Sequence, residues 1–182
     1  MNPQKRYDLL LISVDSPILL GIYENAKLTR TFSKEGRFSD SLPNLFSEIL
    51  REMRELNAGF DIYYTNGPGN FSAIKLTHIF LQTLIIAQNA MSANQTYKKH
   101  KNIANHNDNT NQTRLFCTDA FAFSDSEFIN AYGRIHFYKK DGEIHTTTLE
   151  SKRVNSFSLP RILDSSIFSD KCEPLYILPA VQ

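Results

Sequence analysis

The sequence predicts an α/β fold with a mixed β-sheet that opens on an antiparallel β-meander. Three observations support this class. Three short apolar runs come first, with turn signals between them. A stretch with apolar residues at helical spacing follows, and a further apolar run comes after it by a short connection. The last two features are the pattern of a crossover to a parallel strand. With 182 residues, 41% of them apolar, the chain can form one substantial domain or two small lobes.

The meander is predicted from residues 7–14, 18–23 and 27–33. The first run is dense in Leu and Ile, which is typical of a buried central strand. Asp15-Ser16-Pro17 and Glu24-Asn25 supply the turns between the three strands. We therefore expect each strand to pair with the next in antiparallel fashion.

The first predicted helix begins at the capping candidates Ser39-Asp40-Ser41, with Pro43 in its first turn, and ends at Asn57-Ala58-Gly59. One face of this helix is apolar, and the opposite face is charged. The apolar residues recur at helical spacing: Leu42, Leu45, Phe46, Ile49, Leu50, Met53 and Leu56. A strand at residues 60–65 follows after the crossover.

The next segment reads Gly67-Pro68-Gly69-Asn70-Phe71-Ser72-Ala73-Ile74-Lys75 and joins that strand to a second helix. Gly-Pro-Gly allows a tight turn with positive φ and a close approach of the backbone. Asn70 or Ser72 can cap the helix. The turn could present backbone N–H groups to an anion, but a turn that only joins strand to helix is the favoured interpretation.

The second helix, predicted from residue 72 to residue 88, is apolar on nearly every side. Such a helix is usually buried on every side. In a chain of this size one face can pack on the sheet, and the remainder needs a second layer. Either a second lobe of the same chain or another subunit could supply that layer.

Residues 89–113 are rich in Asn and predict a mobile polar loop, which separates a first lobe (1–88) from a second (114–182). The loop carries Lys98-Lys99-His100-Lys101. This basic cluster could contact nucleic-acid phosphate, although a solvated loop is the favoured interpretation.

Strands are expected in the second lobe at residues 114–118, 128–138, 143–149 and 175–178, with a short helix near 160–163. The middle two strands form a hairpin whose turn is Asp141-Gly142.

Composition excludes few functions, but it gives no support to several. The net charge of +1 gives no strong electrostatic argument for binding to nucleic acid or membrane. Cys117 and Cys172 do not form a CxxC pattern, so two separate thiols are favoured over a disulfide. The apolar run at residues 9–14 is too short for a secretory signal or a membrane span. We expect a cytoplasmic protein that does not associate with a membrane.

No motif for metal or nucleotide chemistry is complete. The five histidines form no HExxH pair, the Gly-Pro-Gly turn lacks the Gly-Lys-Ser/Thr of a Walker A motif, and no GxSxG elbow occurs. Asp15 and Asp119 each follow a predicted strand. We interpret Asp15 as a turn former, because Pro17 removes an N–H donor that a phosphate would need.

The Gly-Pro-Gly strand-turn-helix resembles the Gly-Pro-Gly-Ser-Phe-Thr-Gly motif of the TsaB (YeaZ) family. The resemblance covers residues 9–88, and more weakly 114–138 and 174–181. Four residues match the motif as they stand: Gly67, Pro68, Gly69 and Phe71. Four others replace the family's usual Ser, Thr, Gly and Arg, in that order: Asn70, Ser72, Ala73 and Lys75. Asp119-Ala120-Phe121 stands where the family has Asp-Ala-Arg. The second half is shorter than usual, which indicates a reduced, divergent member.

The resemblance implies an actin-like, ribonuclease-H-like fold of two lobes (the ASKHA type), with the second lobe reduced. It implies a non-catalytic subunit that binds and supports TsaD, the transferase that places threonylcarbamate on the tRNA adenosine beside the anticodon. TsaE, an ATPase, joins that pair, and tRNA is contacted only indirectly. A homodimer when TsaD is absent stays open, as does a monomer. No cofactor or metal is expected in the isolated chain, whereas a nucleotide at the surface shared with TsaD stays open.

Two sets of site residues follow. The partner interface is expected on the two helices, at Leu45, Ile49, Met53, Ile74, His78, Leu81 and Ile85. Asp15 and Ser16 would be the relict of a nucleotide site. The alternative function is a divergent actin-like ATPase, kinase or peptidase that acts on its own, and it requires Asp15 and the Gly-Pro-Gly turn to bind nucleotide.

Overall fold

The computed structural model describes residues 5–99 and 112–177. Eight strands and two α-helices occur within these residues, in the order β1 (Arg6–Ile12), β2 (Ile18–Glu24), β3 (Lys27–Lys34), α1 (Phe38–Glu55), β4 (Gly59–Thr65), α2 (Phe71–Lys99), β5 (Leu115–Thr118), β6 (Phe128–Tyr132), β7 (Ile135–Lys140) and β8 (Glu143–Thr148). Short 3-10 helices lie at Ala120–Phe123 and Ser165–Ile167.

A five-stranded mixed sheet with the order β3-β2-β1-β4-β5 forms the centre of the fold. β1, β2 and β3 pair antiparallel, which confirms the predicted meander. β4 pairs parallel to β1 and β5 parallel to β4, which confirms the predicted crossover. The α/β class with a mixed sheet is therefore correct, and the actin-like assignment stays a prediction.

Both faces of this sheet are covered, because successive residues of a strand point to opposite faces. Leu9 and Leu11 of β1 pack with α1 and α2 in one apolar cluster. Leu10 and Ile12 pack in a second cluster on the other face, under the C-terminal part of the chain. This burial on two sides explains why residues 9–12 form a continuous apolar run.

The second face is covered by Phe157, Leu159, Leu163 and Phe168, which belong to residues 155–177, a segment that we call the strap. The strap joins both edges of the sheet. At the β3 edge Leu28 N donates to Arg161 O at 3.0 Å, and at the β5 edge Cys117 and Ser169 exchange two hydrogen bonds of 2.8 Å. These contacts are isolated bridges rather than a ladder. The strap therefore carries no periodic pattern that a sequence could reveal.

β6, β7 and β8 form a separate antiparallel sheet of three strands. Its apolar residues Ile129 and Phe137 pack against Val14, at the end of β1, and Ile74 of α2. The small sheet thus lies beside the segment that connects β4 to α2.

The second lobe differs from its prediction in three places. Residues 128–138 are two strands rather than one, because Gly133 turns the chain with φ +57°. The expected helix at 160–163 is instead part of the strap, where Lys27 and Ile162 form a bridge. No strand occurs at residues 175–177, and the last residue of that predicted strand lies outside the described part.

The helices also differ from their predictions. α1 begins at Phe38 with Arg37 as its N-cap and no side-chain cap, so Ser39 to Ser41 lie inside the helix and Pro43 in its second turn. α2 continues past residue 88 to Lys99, because residues 89–99 contain no Gly or Pro and include the good helix formers Ala and Met. The predicted loop is therefore partly helical, and its part at 100–111 lies outside the described residues.

Candidate functional site

The Gly-Pro-Gly turn is packed against the protein's own backbone. A Cβ on Gly69 would lie 2.6 Å from the carbonyl oxygen of Val14, and one on Gly67 would lie 2.6 Å from that of Leu175. Gly67 also has φ +133°, a conformation that favours glycine. The predicted close approach of backbone is correct, and the neighbours are the end of β1 and the strap.

Asn70 caps α2, as the sequence predicts. Its Oδ1 accepts a hydrogen bond from Ala73 N at 3.1 Å, and its own N–H donates to Val14 O at 2.7 Å. Ser72 and Lys75 are exposed, and the ring of Phe71 lies 4.8 Å from that of Tyr176. The beginning of α2 is thus tied both to β1 and to the strap.

Asp15 connects the meander to the small sheet. Its Oδ1 accepts from Ser16 N at 2.8 Å and its Oδ2 from Asn155 Nδ2 at 2.6 Å. The Asn155 Oδ1 in turn accepts from Asn130 N at 2.6 Å. A phosphate at this turn would have to displace the Asn155 amide, so the contacts favour the interpretation of Asp15 as a turn former.

Asp119, the other carboxylate at a strand end, is also engaged. Its Oδ1 accepts from Phe121 N at 3.0 Å and caps a 3-10 helix, while its Oδ2 pairs with Lys139 Nζ at 2.8 Å. Within residues 5–99 and 112–177 no group of three or more His, Cys, Asp or Glu side chains could hold a metal ion.

α2 exposes a continuous apolar face to solvent. Leu76, Ile79 and Ile86 are 43%, 53% and 69% exposed, and residues spaced three or four apart share one face of a helix. Thr83, Ala87 and Ala90 are exposed on the same face. We call these six residues the α2 outer face. None of the six is charged. The one charged residue (Asp, Glu, Lys or Arg) in residues 71–92 is the exposed Lys75, which lies four residues before Ile79.

The predicted interface residues lie mostly on other faces of the two helices. Leu45, Ile49, Met53, Ile74 and Leu81 are at most 4% exposed in the protein's own core, so a partner cannot contact them in this structure. This corrects the predicted set of interface residues. The apolar residues that α2 exposes are instead those of the α2 outer face. His78 and Ile85 are half-buried beside that core.

A buried polar contact marks the face of α2 that packs on the sheet. Thr77 is buried, and its Oγ1 lies 2.9 Å from the Oγ of Ser13, just after β1. That contact fixes the rotation of α2 about its axis. The partner is distant in sequence, so spacing alone could not reveal it.

His78 lies at the edge between the buried and exposed faces of α2. Its Nδ1 is 3.0 Å from the hydroxyl of Tyr64 on β4. Burial lowers the pKa of His78 below its ordinary value, and the charge of Glu173 opposes that shift. Burial also raises the pKa of Tyr64. Both side chains are therefore neutral near pH 7, and they fix α2 to the sheet.

Residues 71–92 are long and apolar enough to cross a membrane, with a mean hydropathy of 1.2 over an 18-residue window of which 22% is buried. One helix of this kind is weak evidence for a membrane span, because the core helix of a soluble protein can pass the same test. The low buried share agrees with the exposed α2 outer face.

No family model matches the chain, and no curated protein matches it. The chain is similar in structure to YeaZ. The YeaZ structure from Pseudomonas aeruginosa has a TM-score of 0.45 at 12% identity, over 79% of this chain and 65% of that one. An uncharacterized protein with similarity to peptidase YeaZ from Pseudomonas aeruginosa has a TM-score of 0.43 at 13% identity, over 79% and 64%.

These two structures carry the name of the family that the Gly-Pro-Gly motif resembles. The chain spans less than two thirds of the length of either. At this identity the likeness concerns the fold alone, and what the protein binds must be argued from its own residues.

Proposed function

We propose that the protein is a non-catalytic, cytoplasmic subunit whose α2 outer face binds an enzyme of tRNA modification. The partner that the motif suggests is TsaD, with TsaE joining the pair and tRNA bound only indirectly. The observation that carries the proposal is the α2 outer face, whose large side chains are apolar and exposed beside a well-packed core. Contiguous apolar patches of this kind mark protein interfaces.

The exposed area is large enough to matter for binding. Full burial of a Leu, Ile or Met side chain contributes roughly 1.5 to 3 kcal/mol. Leu76, Ile79 and the neighbouring Met91 keep about half of their surface in water, and Ile86 keeps 69%. Covering these four side chains would therefore contribute roughly 3 to 6 kcal/mol by the same relation, or two to four powers of ten in affinity.

The contacts of the Gly-Pro-Gly turn favour a non-catalytic role. Val14 and Leu175 occupy the space beside the two glycines, and Asp15 is held by Asn155. A nucleotide that binds here would have to displace these residues from their contacts with the turn and with Asp15. The alternative, a divergent ATPase, kinase or peptidase, requires that displacement in the isolated chain.

The interface is tested with Ile79→Glu and Ile86→Glu in the full chain, co-expressed with TsaD from the same source. Each change places a charge in the proposed interface and removes an exposed apolar side chain, which together should weaken binding by at least ~3 kcal/mol, or about 100-fold. Ser47→Glu is the matched control, because residue 47 is an exposed position on α1. We expect the control to co-purify with TsaD and both α2 variants to fail.

Circular dichroism and thermal unfolding of each variant show whether it is folded, which we expect because the substituted residues are exposed. Folded α2 variants that still bind TsaD as tightly as the control would refute the proposal.

Without TsaD the α2 outer face should be covered by a second copy of the chain, because an exposed apolar face favours self-association. Gel filtration at increasing protein concentration should show a homodimer for the native sequence and for Ser47→Glu, and a monomer for Ile86→Glu. Flotation with lipid vesicles tests whether the α2 outer face binds a membrane rather than a protein. Vesicle binding that Ile86→Glu abolishes, with no binding to TsaD, would favour a lipid partner instead.

The enzymatic alternative is tested by calorimetry of the isolated chain with ATP and magnesium. We expect no heat of binding from the native chain. Tight binding that is lost in Asp15→Ala would favour the enzymatic alternative. A nucleotide that binds only after TsaD is added would belong to the shared surface.

A further inference from the structure

Two cysteines meet where the strap joins the edge of the main sheet. Cys117 of β5 and Ser169 of the strap exchange two backbone hydrogen bonds of 2.8 Å. The strap then turns, since Cys172 N donates to Asp170 O at 3.0 Å. The turn brings the Sγ of Cys172 to 3.5 Å from Leu115 O, and the Sγ of Cys117 lies 3.6 Å from Lys171 O. Both thiols therefore occupy the same small space.

Each thiol contacts a backbone carbonyl beside the other cysteine, and the two side chains lie in one apolar cluster. Cys117 is buried and Cys172 is half-buried, and both are free. Tyr64, whose hydroxyl lies 3.0 Å from Nδ1 of His78, belongs to the apolar cluster against which Cys172 packs. Among the described residues no third ligand completes a metal site here. The chemistry open to this pair is therefore that of two adjacent thiols.

The surroundings make Cys117 the more acidic thiol of the pair. The neighbouring Cys172 side chain lowers the pKa of Cys117, against the effect of burial. The pKa of Cys172 is raised, first by the Cys117 side chain and then by burial. A thiolate next to a thiol is the arrangement from which disulfides form, because the thiolate is the nucleophile.

We propose that Cys117 and Cys172 form a reversible disulfide, with a small peroxide as the oxidant, and that this bond locks the strap to β5. The Cys117 thiolate attacks one oxygen of hydrogen peroxide and the O–O bond breaks. Cys117 becomes a sulfenic acid, and hydroxide is the leaving group. The Cys172 sulfur then attacks that sulfur, and the S–S bond forms as hydroxide leaves again. Two thiols give up two electrons and two protons, and one peroxide becomes two waters.

The lock acts next to the Gly-Pro-Gly turn. Directly after Cys172 the strap accepts a hydrogen bond at Glu173 O from Asn66 Nδ2 at 2.8 Å, and Leu175 N donates to Asn66 O at 2.8 Å. Leu175 is also the residue that packs on Gly67. A disulfide at Cys172 therefore holds in place the segment that covers the beginning of α2. Reduction leaves that segment held by hydrogen bonds and packing alone.

The test uses the full chain, reduced and then treated with a small excess of hydrogen peroxide. After denaturation and alkylation, mass spectrometry should show both thiols protected, a mass decrease equal to two hydrogen atoms, and one cross-linked peptide with both cysteines. A dithiol reductant should restore both thiols. The oxidised protein should unfold several degrees higher than the reduced protein, because the bond closes the long loop from residue 117 to residue 172.

Cys172→Ser is the control, since residue 172 is half-buried and serine is close to it in size. Its Cys117 should gain oxygen and form no internal bond. The proposal is overturned if native protein keeps two alkylatable thiols, gains oxygen at each sulfur, or links only between chains. A disulfide that forms without raising the unfolding temperature overturns the lock. The native protein alone decides these outcomes, even if the serine variant fails to fold.

Discussion

Gly69→Ala should destabilise the fold although Gly69 does not have the positive φ that glycine uniquely favours. The added Cβ would lie 2.6 Å from Val14 O and 2.7 Å from Val14 Cβ, where a fixed backbone must move. Overpacking of this kind costs about 1 to 3 kcal/mol. The movement also strains the hydrogen bond of 2.7 Å from Asn70 N to Val14 O, which contributes about 1 kcal/mol. We expect a loss of roughly 2 to 4 kcal/mol in the free energy of unfolding.

For a chain of this length that loss lowers the unfolding temperature by roughly 5 to 15 °C. Thermal unfolding and urea titration, both followed by circular dichroism, measure it. Gly142→Ala is the matched control, because Gly142 has φ +84° and nothing within 4 Å of an added Cβ. The control has backbone strain without a clash and should lose only about 1 kcal/mol. A Gly69→Ala protein as stable as the native one, or more stable than Gly142→Ala, would refute the packing role of this glycine.

Three further predictions concern single side chains. Asp61→Ala removes the buried carboxylate shared by Arg6 at 2.8 Å and Arg114 at 2.7 Å. Urea titration should show a loss of about 3 kcal/mol in the free energy of unfolding, and an unchanged midpoint would contradict this role of Asp61. Asn70→Ala removes the α2 cap and should lose about 1 kcal/mol in the same assay, whereas Asn70→Asp should retain stability; equal losses would refute the cap. Burial lowers the pKa of His78 below its ordinary 6.5, so the unfolded chain binds protons first and stability should fall as pH drops from 6.5 towards the folded pKa. An NMR titration midpoint of His78 at or above 6.5 in the folded protein would contradict that shift.

The sequence predicts the first half of the fold well because local chemistry decides it. The turns after β1 and β2 carry residues that favour turns, and Asn25 indeed has a positive φ of 51°. The crossover follows from one amphipathic helix between two apolar strands. The Gly-Pro-Gly turn follows from the backbone freedom of glycine. Each of these features is encoded within a few neighbouring residues.

The strap could not be predicted, because distant contacts decide it. Residues 155–177 pair with β3 and β5 through single bridges, and they cover the sheet with scattered side chains such as Phe157, Leu163 and Phe168. No period of two or of 3.6 residues results. The meeting of Cys117 and Cys172 depends on the same long-range path, so the spacing of the two cysteines gave no sign of it.

The orientation of α2 explains the error in the interface residues. A helix with apolar residues on nearly every side has no preferred face, so spacing cannot decide which row is buried. The decision comes from Thr77 with Ser13 and from Tyr64 with His78, contacts that join α2 to β1 and β4. These contacts direct Leu81 into the core and leave Ile79 and Ile86 in solvent.

α1 provides an internal comparison for the exposed face of α2. Both helices pack on the same face of the sheet, in one cluster with Phe46 and Phe80 in ring contact at 5.3 Å. The solvent side of α1 carries Glu48 and Arg51, among other polar residues, as expected for a helix that faces water. Between Leu76 and Ser92, α2 carries no Asp, Glu, Lys or Arg. The two helices of one layer thus differ on the side turned away from the protein, where the fold itself makes no demand on residue type. An apolar side there has a physical reason only if another molecule covers it, and the charge substitutions at Ile79 and Ile86 test that reason directly.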